Sequence, residues 1–266
     1  MDQVSEEAAF LFDLQGYLLL RGVLTTSECA SLLSTLQRLE EEKFPDSWLD
    51  SVPEDVVARP TRETKIGQQL RLNGMPILDP VFDLLIAHPT ITPYLHAFMG
   101  DPQLINTWSI SKKKDSKQGG WHRGVPTTDY SYDRGMIRTR MLNTVYFLTD
   151  NGLHDGSLMA LPGSHKSNLD LKWSEHDGLE MPGSVPVIGA PGDVLIFSEA
   201  LLHNGMDKTT DGIRSNLYYN YVHAHYHVAM REPGNIHHFY FPEKIRARLT
   251  PEQREMTRWM EFTRCP

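Results

Sequence analysis

From Gln103 onward the chain is written as short apolar runs rich in β-branched and aromatic residues, each closed by Gly, Asp, Asn or Ser. This texture constrains the fold more than any other feature, because many short strands at close spacing bury their faces only by closing into a sandwich or a barrel. The clearest strands are expected over 104–111, 138–148, 157–161, 192–197 and 216–223.

Ahead of this region the pattern is helical. Residues 10–23 read as a short helix running into the apolar stretch Tyr17-Leu18-Leu19-Leu20, broken at Gly22. Thr25 and Glu28 have capping-box spacing, and Leu32, Leu33, Leu36 and Leu39 recur at helical intervals up to Lys43, so this helix should lie across a sheet with its leucines inward. Residues 44–65 read as a surface excursion, and 81–99 as a helix interrupted at Pro89 and Pro93 and ended by Gly100. Residues 164–187 are polar and rich in Gly, Pro and Ser, as a lid or a long surface loop would be. Ile245, Leu249, Met256 and Met260 give the tail helical spacing despite Pro251, and it is expected outside the barrel. The expected organisation is a single domain over 1–266: a mainly helical part over about 1–102, a β core over about 103–227 and a helical tail over about 240–266.

At 266 residues and 40% hydrophobic content the chain can bury a large core. A net charge of −8 supplies no general basic field for a nucleic-acid backbone, so no nucleic-acid partner is expected. Lys112-Lys113-Lys114, with Lys117, form the only basic run, read as a solvated loop or as a handhold for a phosphate or carboxylate. Cys29 and Cys265 lack the spacing of a zinc or redox pair. No leader-like N-terminus and no apolar run of roughly 18 residues is present, so a cytoplasmic protein without a membrane partner is expected.

Candidate chemistry sits at His122 in Gly120-Trp121-His122-Arg123-Gly124, at His203 in Leu201-Leu202-His203-Asn204-Gly205, and at Arg214. Residues i and i+2 of a strand point the same way, so a His-x-Asp pair delivers an imidazole and a carboxylate to one ion; with a distant second histidine this makes the facial triad of non-haem iron. Here the i+2 residue is Gly124, which has no side chain to donate. Arg214 suits a carboxylate partner, since a planar guanidinium meets it through two parallel hydrogen bonds; Asn216 and Tyr218 share its strand face.

Other blocks extend this pattern: Asn143-Thr144-Val145-Tyr146-Phe147-Leu148-Thr149-Asp150, Asp155-Gly156-Ser157-Leu158, Leu161-Pro162-Gly163-Ser164-His165-Lys166 and Gly192-Asp193-Val194-Leu195-Ile196-Phe197. With Trp121-His122, Leu202-His203-Asn204-Gly205 and Arg214 they resemble the phytanoyl-CoA dioxygenase family of Fe(II)/2-oxoglutarate-dependent oxygenases. The resemblance implies a mainly β fold with flanking helices around a double-stranded β-helix, the jelly roll. It further implies Fe(II) on His122 and His203, 2-oxoglutarate on Arg214, with Asn216 completing the pocket, and O2 as oxidant. Asn143 or Thr144 would reach the cosubstrate, and alternation leaves open which of them faces inward. His165 reads as a turn residue, Trp121 as packing beside the site, and His223, His225 and His227 as a polar wall or rim beyond the last core strand, with His237 and His238 nearby.

Gly124 divides the functional reading. Glycine in place of the aspartate resembles the related halogenases, in which a halide takes the ligand position; this favours halogenation of an unactivated carbon with chloride as an added cofactor. The alternative is a hydroxylase whose iron is completed by water or by another carboxylate: Glu199, four residues before His203, or Asp129 or Asp155. A third reading is a non-catalytic small-molecule-binding jelly roll. The substrate is expected to be small and acidic or polar, met by Arg123, Arg134, Arg138, Arg140 and the Lys112 to Lys117 segment, with a carrier protein not excluded. Loops over 44–75, 125–137 and 164–187, with Phe44, Trp48, Tyr130, Tyr132 and Trp173, are expected to shape the pocket.

Overall fold

The computed structural model describes residues 4–42, 62–65, 69–169, 172, 175–176, 178–226, 241 and 243–260. Phe44, Trp48, Trp173, His227, His237, His238 and Cys265 lie outside the described residues.

Twelve strands are present among the described residues: β1 (Tyr17–Leu20), β2 (Arg62–Lys65), β3 (Gln69–Leu72), β4 (Pro102–Lys112), β5 (Tyr130–Asp133), β6 (Met136–Thr139), β7 (Met141–Phe147), β8 (Leu158–Ala160), β9 (Val185–Val187), β10 (Val194–Ser198), β11 (His203–Gly205) and β12 (Arg214–His223). Seven of them form an antiparallel sheet in the order β1-β10-β7-β12-β4-β3-β2; a second sheet has the order β11-β8-β9, and β5 and β6 form a hairpin. The strand order skips back and forth along the chain, as a jelly roll does.

Period-two alternation gives the large sheet two different faces. Val145 and Phe147 of β7, Leu195 and Phe197 of β10 and Tyr218 of β12 pack inward with Ala160 of β8 and Val187 of β9. Leu142 and Tyr146, Val194 and Ile196, and Leu217, Tyr219 and Tyr221 turn outward to the helices. Three outward tyrosines dock a 3-10 segment, Pro80–Leu85. Tyr219 Oη donates to the Phe82 carbonyl at 2.6 Å, Tyr221 Oη to that of Ile86 at 2.8 Å and Tyr146 Oη to that of Leu85 at 3.3 Å. The helix expected over 81–99 is therefore two pieces, this segment and α4 below, because prolines interrupt the α pattern and the tyrosines satisfy the freed carbonyls.

Six α-helices cover the outward face or its margins: α1 (Glu6–Gln15), α2 (Thr26–Glu41), α3 (Met75–Leu78), α4 (Thr92–Met99), α5 (Glu243–Arg246) and α6 (Pro251–Met256). Helix α2 opens on the Thr25/Glu28 capping box and buries Leu32, Leu36 and Leu39. In the tail, Ile245, Leu249, Met256 and Met260 are all buried in the outer core. Helix α1 ends at Gly16, whose φ of 84° lies in the left-handed region, and a Cβ there would overlap the His165 ring. His165 itself is buried in a turn, its Nε2 3.0 Å from the Asp13 carbonyl.

Two features depart from expectation. The N-terminal part is not only helical, since β1, β2 and β3 join the large sheet, β1 pairing Tyr17 with Phe197 and β3 pairing Gln69 with Lys112. The single strand expected over 138–148 is two, β6 and β7, because the chain passes from the β5–β6 hairpin into the large sheet at Arg140. Among the described residues no helix is long and apolar enough to cross a membrane.

Candidate functional site

A cavity of about 210 Å³ opens between the two sheets. His122, Asn143, Glu199, His203, Arg214 and Tyr218 line it, with Trp108, Ile110 and Lys112 of β4 and Phe197 of β10.

At one end stand the two histidines. A backbone bridge joins them, each amide donating to the other's carbonyl at 3.0 Å, and their ring centroids are 4.3 Å apart. His122 Nδ1 is 2.9 Å from the Gly120 carbonyl and His203 Nδ1 2.9 Å from that of Leu201. A carbonyl only accepts, so each Nδ1 carries the proton and each Nε2 keeps its lone pair for an ion. Burial pushes His203 down to about 4, and burial followed by the neighbouring His203 lowers His122, which keeps both rings neutral at ordinary pH.

Across the ladder from Gly124 lies Glu199, 6% exposed, whose carbonyl accepts from Gly124 N at 2.8 Å. Its Oε1 accepts from Asn143 Nδ2 at 2.9 Å and Asn220 Nδ2 at 3.3 Å. A Cβ built on Gly124 would overlap Glu199 Oε2 and stand 3.1 Å from its Cδ and 3.2 Å from its Cβ. The space that the halogenation reading reserved for chloride is thus filled by a carboxylate. Burial raises the acidity constant of Glu199, opposed by the neighbouring His122 and by its hydrogen bond from Asn143. Asp129 is paired with Arg140 at 3.1 Å, and Asp155 with Lys208, Thr210 and the Gly152 amide, so neither of these carboxylates serves the histidine pair. Among the described residues no three His, Cys, Asp or Glu side chains are already drawn round one point.

At the other end two cations lie side by side, Arg214 and Lys112 being register partners on β12 and β4. Arg214 is 3% exposed; its Nη2 donates to the Gly156 carbonyl at 2.7 Å, while its buried Nε has no hydrogen-bond partner. Lys112 is 2% exposed and donates to the Met206 carbonyl at 2.7 Å. Its ammonium is pushed down to about 7, first by burial and then by Arg214, with Asp207 opposing. Directly opposed like charges destabilise a sheet, and an anion between them removes that cost. The basic run therefore divides: Lys112 follows Trp108 and Ile110 on the inner face of β4, whereas Lys114 and Lys117 pair at the surface with Asp211 and Asp207, each at 3.0 Å.

The remaining expected residues separate. Asn143 lines the cavity, whereas Thr144 is turned away, its Oγ1 donating to the Tyr219 carbonyl at 3.2 Å. Asn216 is held against Asn151 and, with its amide turned to present oxygen, accepts from Arg214 Nη1 at 3.1 Å, so it braces the guanidinium from behind. Tyr218 stacks on Trp108 with centroids 5.2 Å apart, forming a cavity wall. Trp121 is buried with Met159, Met181 and Leu202. Arg138 and Arg140, expected near the entrance, instead line a second cavity of about 460 Å³ with His223, His225 and Asp129; none of His122, His203 and Arg214 borders it. Lys112 and Asn220 escaped sequence reasoning, though strand parity from Trp108 would have turned Lys112 inward.

Two neutral imidazoles and a nearby carboxylate are a donor set suited to ferrous ion, and an orphaned guanidinium N–H beside a buried ammonium is suited to a dicarboxylate. The sequence profile of the phytanoyl-CoA dioxygenase family matches residues 12–216. The chain belongs to that family of Fe(II)/2-oxoglutarate-dependent oxygenases. Among family relatives, an ectoine dioxygenase of Sphingopyxis alaskensis is 25% identical over 245 residues, covering 82% of this chain and 76% of that protein. HygX from Streptomyces hygroscopicus, with nickel and 2-oxoglutarate bound, shares the fold at a TM-score of 0.69 and 23% identity, over 84% of this chain and 88% of its own. The non-haem epimerase SnoN from nogalamycin biosynthesis shares it at a TM-score of 0.61 and 19% identity, over 82% and 83%. This phytanoyl-CoA dioxygenase family member is an oxygenase with a jelly-roll core.

Proposed function

We propose that the protein is an Fe(II)/2-oxoglutarate-dependent hydroxylase acting on an unactivated C–H bond of a small polar molecule. The observation that carries this reading is the polarity of one cavity, with two neutral imidazoles at one end and two cations at the other. A ferrous ion with 2-oxoglutarate and O2 supplies the oxidising power for such a bond.

His122 and His203 would hold the ion through Nε2, their rings fixed by the Gly120 and Leu201 carbonyls. Arg214 would take the distal carboxylate of 2-oxoglutarate through its fork, using the buried Nε, with Lys112 as a second cation and Asn216 as the brace. Asn143 reaches the ion end of the cavity and holds the Glu199 carboxylate. Phe197, Ile110 and Leu158 give the cavity apolar walls that exclude water. Substrate choice belongs to the variable loops; the names of an ectoine dioxygenase and of HygX place relatives among enzymes of small polar metabolites, and we place this substrate in the same class.

Hydroxylation is preferred to halogenation because a carboxylate already stands beside Gly124, and a halide there would meet like charge. The test is aerobic incubation with Fe(II), 2-oxoglutarate and a panel of small polar metabolites, with and without chloride. The expected result is iron-dependent succinate formation coupled to a product that has gained one oxygen atom. A chlorinated product would overturn the choice, and no succinate under any condition would overturn the reading.

A further inference from the structure

We infer that Glu199 supplies the third protein ligand of the iron site, so that the carboxylate missing from position 124 is donated from across the β ladder. This rests on the reading of the cavity as an iron and 2-oxoglutarate site.

The first observation is positional. Glu199 Oε2 lies within the volume that a side chain at position 124 would occupy, about as far from the built Cβ as an aspartate's own carboxylate oxygen lies from its Cβ. The two residues are also tied through the backbone, by the 2.8 Å bond from Gly124 N to the Glu199 carbonyl, which fixes the approach. A glycine is what this arrangement requires, since even a methyl group would collide with the carboxylate.

The second observation is chemical. Glu199 is buried, lines the cavity together with His122 and His203, and is held by two amide donors on the same oxygen, Oε1, which leaves Oε2 on the Gly124 side. A buried carboxylate without a cationic partner is costly, and a divalent ion supplies that partner. Two neutral imidazoles and one carboxylate also give the ion the same protein charge as a His-x-Asp site. Glu199 reaches the point shared by the two Nε2 atoms by a turn about its side-chain torsions, with Asn143 and Asn220 as the hinge of that turn. Asp129 and Asp155, the other two candidates, are committed elsewhere.

The test is anaerobic titration of the full chain with Co(II), read by calorimetry and by the visible ligand-field bands, with circular dichroism reporting the fold. Glu199→Gln keeps the shape and removes the charge; it should weaken Co(II) binding about 10-fold or more and alter the band pattern. The exchange pair Gly124→Asp with Glu199→Ala, which returns the carboxylate to the other strand, should recover most of the lost affinity. Chloride should leave the parent spectrum unchanged. Parent-like Co(II) affinity and spectrum in Glu199→Gln would overturn the inference while leaving the iron-site reading intact, and so would a parent spectrum that responds to chloride. A parent protein that binds no Co(II) at all would overturn both.

Discussion

Glu199 and Gly124 exclude each other: the carboxylate of one fills the side-chain volume of the other, across a 2.8 Å backbone hydrogen bond. Gly124→Ala should therefore force Glu199 aside. The expected cost is about 1–3 kcal/mol of stability, as in other overpacked sites, together with weaker metal binding. Urea unfolding and Co(II) titration check it, and adding Glu199→Ala should return the stability by freeing the space.

Lys112 and Arg214 sit opposite one another with their charges unshared. Lys112→Met should raise the KM for 2-oxoglutarate about 10-fold or more while changing kcat less, because the lysine acts on cosubstrate binding. The same substitution should stabilise the ligand-free protein, since a buried ammonium beside a guanidinium is replaced by an apolar chain of similar length.

The lowered ammonium of Lys112 also fixes a pH dependence. Between about 7 and its ordinary 10.5 the unfolded chain holds a proton that the folded lysine has released. The unfolded state binds more protons there, so Lys112 makes the ligand-free protein more stable as pH rises from 7 towards 10, by at most about 1.4 kcal/mol per unit. Urea midpoints at pH 7 and 9 should show this contribution in the parent, and its loss in Lys112→Met.

His165 acts in the acid range. Burial holds it at about 4, below its ordinary 6.5, so the unfolded chain takes up a proton that the folded ring refuses. Stability contributed by His165 is complete above about 6.5 and is lost as pH falls towards 4, again by at most about 1.4 kcal/mol per unit. His165→Gln should flatten the stability profile between pH 6.5 and 4, measured by urea unfolding of the metal-free protein.

Asn143 and Thr144 are adjacent and equally buried, yet their substitutions should diverge. Asn143→Ala removes a donor to Glu199 and should cost about 10–100-fold in activity, as loss of a ligand's support does. Thr144→Val loses only a bond to the Tyr219 carbonyl, and should cost about 1 kcal/mol of stability with turnover unchanged.

This pair also marks where sequence stops being legible. Both faces of β7 are buried, so polarity and alternation give no direction to two neighbouring polar residues. The α2 capping box and the inward leucines were readable because their chemistry is local, and the histidines and Arg214 because their motifs are. Lys112 was hidden by its neighbours, since a run of lysines looks solvated and only the parity of β4 turns the first of them inward. The pairing of β1 with β10 and the approach of Glu199 to Gly124 join residues far apart in the chain, which no local pattern encodes.

The central claim is that His122 and His203 hold a ferrous ion at one end of a cavity whose other end, at Arg214 and Lys112, holds 2-oxoglutarate. Anaerobic addition of Fe(II) and 2-oxoglutarate tests it most directly, through the visible metal-to-ligand charge-transfer band. The account predicts a band that saturates at one iron per chain and is lost in His203→Ala. A parent protein without the band, or a His203→Ala variant that retains it, would contradict the account.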